Sequence, residues 1–340
     1  MRLSSLLKLS SLAVLGACSR SGDWTTHELT GATMGTTFSV TLVLPAGQEP
    51  DSALQARIER VVDSVEQSMS TYLLQSEVSK FNTNLSTDWF SVSIMLCEAV
   101  DATLAISELS QGAFDITVGP LVNLWGFGPD GGQLEPPDES IIQAARVRVG
   151  YEALQVDCSV PAIRKLKPEV YIDLSGFAKG LAVDRLATLI DDEAHYNYLI
   201  EIGGELRMRG HNGDGDYWRI AIEMPADDGR TVRRLLALSD TAMATSGDYR
   251  NFFEFEGNRY SHTIDPRRAR PVSHNLAAVT VVADSAAFAD GMATALLVLG
   301  PEDGMQLATR HDIAAYFQLR AEAGFEETMS PAFRQIAAAD

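Results

Sequence analysis

Asp290 and Thr294 stand at i and i+4 in the run from Ala286 to Leu299, so on a helix their oxygens share one face a single turn apart. Oxygen donors at that spacing suit a hard cation such as Mg2+, which keeps few protein ligands and takes phosphate oxygens for the rest. An isolated pair of this kind is more often plain helix surface. A second group is Asp173-Leu-Ser-Gly176-Phe-Ala-Lys179-Gly180. Ser175-Gly176 is a small-residue turn that lets backbone approach a ligand. A helix starting after it aims N–H groups and a positive dipole end at one spot, as a phosphate requires, and Lys179 adds a charge there. An ordinary strand-to-helix connection with a solvated lysine has the same residues, and the run is neither G-x-G-x-x-G nor a Walker A loop. The third candidate is His262. Its β-forming neighbours and the following Asp265-Pro266 read as a strand delivering an imidazole to a turn, although a lone histidine is more often structural than catalytic.

These residues need elements to hold them. Val170 to Ser175 alternates like a half-buried strand, and from Phe177 the apolar period lengthens to that of a helix reaching Ile190. The Asp290 helix has its core face at Phe288, Met292, Leu296 and Leu299. Thr37–Leu44, Tyr198–Ile202, Tyr217–Glu223, Leu276–Val282 and Ile313–Leu319 read as strands. Ser52-Ala-Leu-Gln55 reads as a capping box opening a helix with Leu54, Ile58, Val61, Val62, Val65 and Met69 in its stripe. Another helix spans Ile94 to Ser110 and stops at Gly112. Gly112 to Pro129, with four glycines, two prolines and large aromatics, predicts a shaped surface rather than a regular element; the alternative is a packed connector with Phe114 and Trp125 merely buried. Ala244 to Arg250 reads as a small-residue loop. Strands outnumber helices and the helices come in clumps, which predicts an α+β fold rather than a doubly wound one.

Composition bounds the class. At 46% hydrophobic the chain can bury a sizeable core, and a formal charge of −19 argues against a nucleic-acid surface. Residues 1–17 read as an export signal: Arg2 and Lys8 precede a short, serine-interrupted apolar core. Leu15-Gly16-Ala17-Cys18 resembles a bacterial lipobox, so Cys18 is the expected lipidation site, against the alternative of a plain cleaved signal peptide. Lipidation would tether the protein to a membrane outside the cytoplasm. Residues 18–30 are then expected to be a tether, 31–320 a single domain, and 321–340 a loosely held tail. Cys97 and Cys158 either pair in an oxidising compartment or stay reduced. No CxxC or His-Cys cluster points to zinc.

Met34-Gly-Thr-Thr, Met69-Ser-Thr-Tyr72, Gly112-Ala-Phe-Asp115, Leu124-Trp-Gly-Phe-Gly128, Asp173 to Gly180, Glu201-Ile-Gly-Gly-Glu205, Ala244-Thr-Ser-Gly-Asp-Tyr249, Ser261-His-Thr-Ile-Asp-Pro266 and Ala289-Asp-Gly-Met-Ala-Thr294 occur in this order. As an ordered set over about residues 30–310 they resemble the FAD:protein FMN transferases, the ApbE-type flavin transferase family. The resemblance implies an α+β architecture of antiparallel sheets with packed helices, related to the T-fold. It implies Mg2+-dependent transfer of FMN from FAD to a threonine hydroxyl of a target protein, with release of AMP. By position, Met34, Tyr72, Ala113, Phe114, Asp115, Asp173, Lys179 and Ile264 would contact FAD. Gly176 through its carbonyl, Asp290 and Thr294 would hold the metal, and His262 would be the base for the acceptor hydroxyl. Implied targets are flavin-carrying subunits of membrane redox complexes, such as the sodium-pumping NADH:quinone reductase. The alternatives are hydrolysis of FAD to FMN and AMP, or flavin binding without chemistry.

One departure is local. Where the family has Thr-Gly before a Pro-Val pair, this chain has Arg267-Arg268-Ala269-Arg270. Either Ala269 takes up a positive φ at a cost of about 1 kcal/mol, or the turn differs. The three arginines are candidates to contact a phosphate, the target or the membrane surface.

Overall fold

The structure, a computed structural model, describes residues 23–129, 131–132, 135–225, 231–249 and 251–338. The expected signal segment and Cys18 lie outside the described residues. The chain runs β1 (Trp24–Thr33), β2 (Thr36–Pro45), α1 (Leu54–Met69), α2 (Glu77–Thr83), β3 (Phe90–Ser91), α3 (Ile94–Leu109), α4 (Gly119–Leu124) and α5 (Glu139–Arg146). Next come β4 (Leu154–Asp157), β5 (Ala162–Lys165), α6 (Ala178–Asp192), β6 (Tyr198–Ile202), β7 (Glu205–Arg209), β8 (Trp218–Glu223) and β9 (Val232–Leu238). The remainder is β10 (Thr241–Gly247), β11 (Phe252–Phe255), β12 (Asn258–Ser261), β13 (Ile264–Asp265), β14 (Arg270–Pro271), β15 (Leu276–Ala283), α7 (Ala286–Arg310), β16 (Ala314–Arg320), β17 (Phe325–Met329) and α8 (Pro331–Ala337).

Eight strands form one sheet in the order β1-β2-β6-β7-β10-β15-β16-β17, antiparallel at every pairing. This is the α+β class expected. Side chains alternate across it as the pleat requires. Val40, Leu42, Ile200, Ile202, Ala244, Val281 and Phe317 enter the main core under the helices. Val43, Met243, Val282 and Tyr316 face the other way, onto the β8–β9 hairpin and α8. A third, smaller core gathers Leu121, Trp125, Ile142, Phe253, Ile264 and Ala269 from α4, α5, β11 and the β13–β14 turn.

Two helices that carry the site are locked together. A Cβ at Gly180 would come 2.3 Å from the Ala286 carbonyl oxygen, so only glycine allows α6 and α7 to pack at that point. Asp184 on α6 then caps α7: its carboxylate accepts from Ala286 N and Ala287 N, each at 3.0 Å, and from the Ser285 hydroxyl. The α7 axis breaks at Gly300 (φ 84), just before Pro301, which has no N–H to continue the ladder. The straight segment therefore ends where the sequence places it, after Leu299.

Several expectations need correction. Residues 24–30 of the expected tether belong to an edge strand, β1, paired along its length with β2. The expected tail forms β17, which extends the sheet, and α8, which seats Phe333 with no exposure in the second core. Burying such a ring is worth about 1.5–3 kcal/mol, which low overall apolar content does not reveal. The Ser52 capping box does not form: Asp51 accepts from Ala53 N, and Gln55 Nε2 reaches across to the Thr30 carbonyl. Val170 to Leu174 alternates in burial but belongs to no sheet. Its polar groups bond instead to Asn82 (Ile172 N and O), to Ile116 O (Asp173 N) and to the buried Lys165 ammonium (Val170 O). Half of the Gly112–Pro129 run is helical, with a 3-10 turn at Ile116–Val118 followed by α4. Ala244–Gly247 lies within β10, not in a loop.

Candidate active site

The end of β10, the start of α6, the middle of α7 and the segment after β12 converge on one cleft of about 820 Å³. Tyr72, Ala113, Phe114, Asp115, Asp173, Gly176, Lys179, His262, Ile264, Asp290 and Thr294 all line it. Met34 does not. It sits in the β1–β2 turn at φ 46, packed partly against the main core, while its neighbour Thr36 reaches the cleft.

At the centre lies a buried charge cluster. Lys179 Nζ donates to Glu205 Oε1 at 2.8 Å and lies 3.7 Å from Asp290 Oδ2. Asp290 and Glu205 are each 3% exposed. Burial pushes both carboxyls above the ordinary carboxylate range, against the pull of the Lys179 charge. Burial acts to lower Lys179, but Asp290 and Glu205 outweigh it and hold the ammonium above its usual value. The Gly203-Gly204 turn is shaped around this lysine: Gly203 has φ +60, and a Cβ there would come 3.3 Å from Lys179 Cδ. Sequence reasoning gave Glu205 no role, although it closes the quoted Glu201–Glu205 motif.

The start of α6 works differently from expectation. Ala178 N bonds the Leu174 carbonyl and Gly180 N bonds Asp290 Oδ2 at 3.2 Å. The helix start thus offers an anion Lys179 rather than those two N–H groups. Asp173 accepts from Ser175 N and the Ser175 hydroxyl, which shapes the turn. Asp115 is similarly engaged: Oδ1 accepts from Thr117 N at 2.7 Å and Oδ2 from Tyr151 N at 2.9 Å. Burial raises its pKa against those bonds.

Asp290 and Thr294 are one turn apart on α7, as the spacing predicts, and Gly176 lies beside them: a Cβ on Gly176 would come 3.3 Å from Thr294 Oγ1. Thr294 Oγ1 also pairs with Ser246 Oγ at 2.9 Å. Among the described residues no three His, Cys, Asp or Glu gather as a metal cage. Asp290 and Thr294 offer oxygen only, a carboxylate and a hydroxyl, with the Gly176 backbone beside them. That set fits a hard divalent cation completing its shell with ligand oxygens.

His262 follows β12. Its ring Nδ1 lies 3.1 Å from the Asn251 carbonyl. A carbonyl can only accept, so Nδ1 carries the proton and Nε2 keeps its lone pair. Burial lowers the imidazole pKa below its ordinary value, despite the Asn251 bond and the charge of Asp248, which raise it. The neutral, proton-accepting form is therefore favoured. The neighbouring turn resolves the sequence departure. Ala269 does sit at φ 58, and the arginines are held within the chain: Arg267 grips both oxygens of Asp265, Arg268 lies 3.6 Å from the same carboxylate, and Arg270 pairs with Glu139.

Charge in the cleft is lopsided. Asp115, Asp173, Glu201, Glu205, Glu223 and Asp290 line it, whereas Lys179 is the one lysine or arginine among the described lining residues.

The ApbE family matches residues 34–317. A Vibrio cholerae protein named FAD:protein FMN transferase is 41% identical over 329 residues, covering 97% of each chain. A Salmonella typhimurium protein of the same name is 37% identical, covering 98% of this chain and 97% of that one. Among solved structures, flavin transferase ApbE from Vibrio cholerae superposes with a TM-score of 0.85 at 39% identity, covering 92% of this chain and 99% of the other. Flavinyl transferase ApbE from Pseudomonas stutzeri, in its apo form, gives 0.84 at 39% identity, covering 92% and 97%. This chain belongs to the ApbE family.

Proposed function

We propose that this protein transfers FMN from FAD to a threonine hydroxyl of a target protein, with Mg2+, and releases AMP. One observation carries the reading: an oxygen-only donor set (Asp290, Thr294, Gly176) and a histidine with Nδ1 already committed line the same cleft. The names of the relatives support it. So does the charge balance: among the described lining residues six acidic side chains stand against one lysine, a setting that disfavours a diphosphate unless a cation joins it.

Asp290, Thr294 and the Gly176 carbonyl would hold the cation, which when bound polarises phosphate oxygens and offsets charge in an in-line displacement. Lys179 would balance charge beside the phosphates. Tyr72, Ala113, Phe114 and Ile264 would surround the remainder of FAD, with Asp115 and Asp173 shaping the backbone around it. His262 Nε2 would take the proton from the acceptor hydroxyl. The threonine oxygen then bonds the phosphorus on the FMN side, the bond to the AMP phosphate breaks, and AMP leaves with the electron pair.

Location is part of the proposal. Cys18 would carry the lipid and hold the domain on the periplasmic side of a bacterial membrane, the inner membrane being the expected one. There it would meet flavin-carrying subunits of redox complexes. Two features are in keeping with this: Cys97 and Cys158 are joined as a disulfide, a bond of oxidising compartments, and among the described residues no helix is long and apolar enough to cross a membrane. The test is AMP release from FAD and Mg2+ with and without a threonine-bearing redox subunit. The proposal requires release that depends on the acceptor; equal release without it assigns the chain to FAD hydrolysis.

A further inference from the structure

A ladder of aromatic rings stands beside His262. Trp125 stacks on Tyr260 at 5.7 Å between centroids, Tyr260 on Phe253 at 5.1 Å, and Phe253 on Phe127 at 5.7 Å. Phe127 then meets the His262 ring edge-on at 6.3 Å. The far end is tied down as well, because Trp125 Nε1 donates to the Ala269 carbonyl at 3.1 Å. The ladder therefore braces both ends of the segment from His262 to Ala269, which also carries Ile264. Of its four members, only Phe127 lines the cleft together with His262.

An apolar ring in this place has two effects. It limits how far the imidazole can swing about its Asn251 bond, and it replaces water on one side of the ring. Charged neighbours do not supply the same constraint. Asp248 and Lys179 act on His262 electrostatically, but each is held by another partner, Asp248 by Arg320 and Lys179 by Glu205.

We propose that Phe127 is a positioning residue that keeps His262 Nε2 turned to the cleft and shielded from bulk water, so that an acceptor hydroxyl rather than water is activated. This rests on the reading of His262 as the base. In transfer, the hydroxyl proton moves to Nε2 while its oxygen replaces the AMP phosphate on the FMN phosphorus. In hydrolysis, water enters in the same way, and FAD and water give FMN and AMP.

The experiment measures AMP release from FAD and Mg2+ without acceptor, across pH, for the full chain and for Phe127→Ala and Phe127→Leu. Phe127→Ala should raise acceptor-free release by about tenfold, while FMN transfer to an acceptor falls. The midpoint of its pH profile should move up toward that of an ordinary imidazole. Phe127→Leu keeps apolar bulk without the ring edge and should show a smaller change in the same direction. It also decides the matter should the alanine protein lose FAD binding. Unchanged acceptor-free release and an unchanged pH midpoint, with FAD still bound, overturn the proposal. Wild-type protein that releases AMP equally with and without acceptor overturns the transferase reading itself, a result distinct from failure of the Phe127 variants alone.

Discussion

Lys179 and Glu205 meet at 2.8 Å inside the cleft, so the one lysine among its described lining residues is already paired with an acidic side chain. Lys179 is also 3.7 Å from Asp290, so two buried acids share a single ammonium. Burial disfavours the ionised form of both acids, and a bound cation would offset that cost at Asp290, which stands one turn from Thr294 on α7.

Asp290→Ala should therefore remove catalysis far more than FAD retention. Loss of cation-assisted charge stabilisation amounts to several kcal/mol, or a rate reduction on the order of 10³-fold or more. Chelation of Mg2+ from the wild-type protein should reproduce the loss reversibly. Near-normal turnover of the variant at ordinary Mg2+ would remove Asp290 from the cation site.

His262→Ala should depress transfer by roughly 10²–10⁴-fold with FAD affinity nearly unchanged. His262→Gln should be equally poor, since glutamine can replace the Asn251 bond but is no base. The wild-type rate should rise with pH through a midpoint below ~6.5, because burial favours the neutral ring, and be level above it. A glutamine variant with substantial activity would assign His262 to structure alone.

The Cys97–Cys158 disulfide joins α3 to the turn between β4 and β5 across 61 residues of sequence. Closing a loop of that length is worth about 4 kcal/mol on the chain-entropy account. The double replacement by serine should lower the urea midpoint accordingly. Reductant should lower it for the wild type and leave the double variant unchanged.

Cys18→Ala should leave transfer intact and release the protein from membranes. Sedimentation after a salt wash reads this directly. A variant that still pellets with membranes would mean an anchor other than a lipid on Cys18.

Much of the site was legible because its residues sit in strongly periodic segments. Asp290 and Thr294 fall one turn apart on α7 because Phe288, Met292 and Leu296 fix that helix's buried face. The α6 start was legible from the change of period at Phe177. What the sequence hid depended on partners far along the chain. Val170–Leu174 has strand alternation, yet its hydrogen bonds go to the Asn82 side chain and Ile116, so no ladder forms. β1 has few apolar residues because it is an edge strand paired on one side, and it reads like a linker. β17 and α8 are legible only once Phe333 is seen to fill a pocket against Tyr316. Glu205 and Phe127 lay within quoted motifs, but their roles come from Lys179 and His262, each distant in sequence.

The central claim is that a threonine of another protein receives FMN. The most direct measurement is intact-mass and peptide mass spectrometry of a flavin-carrying redox subunit after incubation with this protein, FAD and Mg2+. The account predicts an FMN adduct on one threonine, absent when that threonine is alanine and absent with His262→Ala. Stoichiometric AMP release with the subunit's mass unchanged would contradict it.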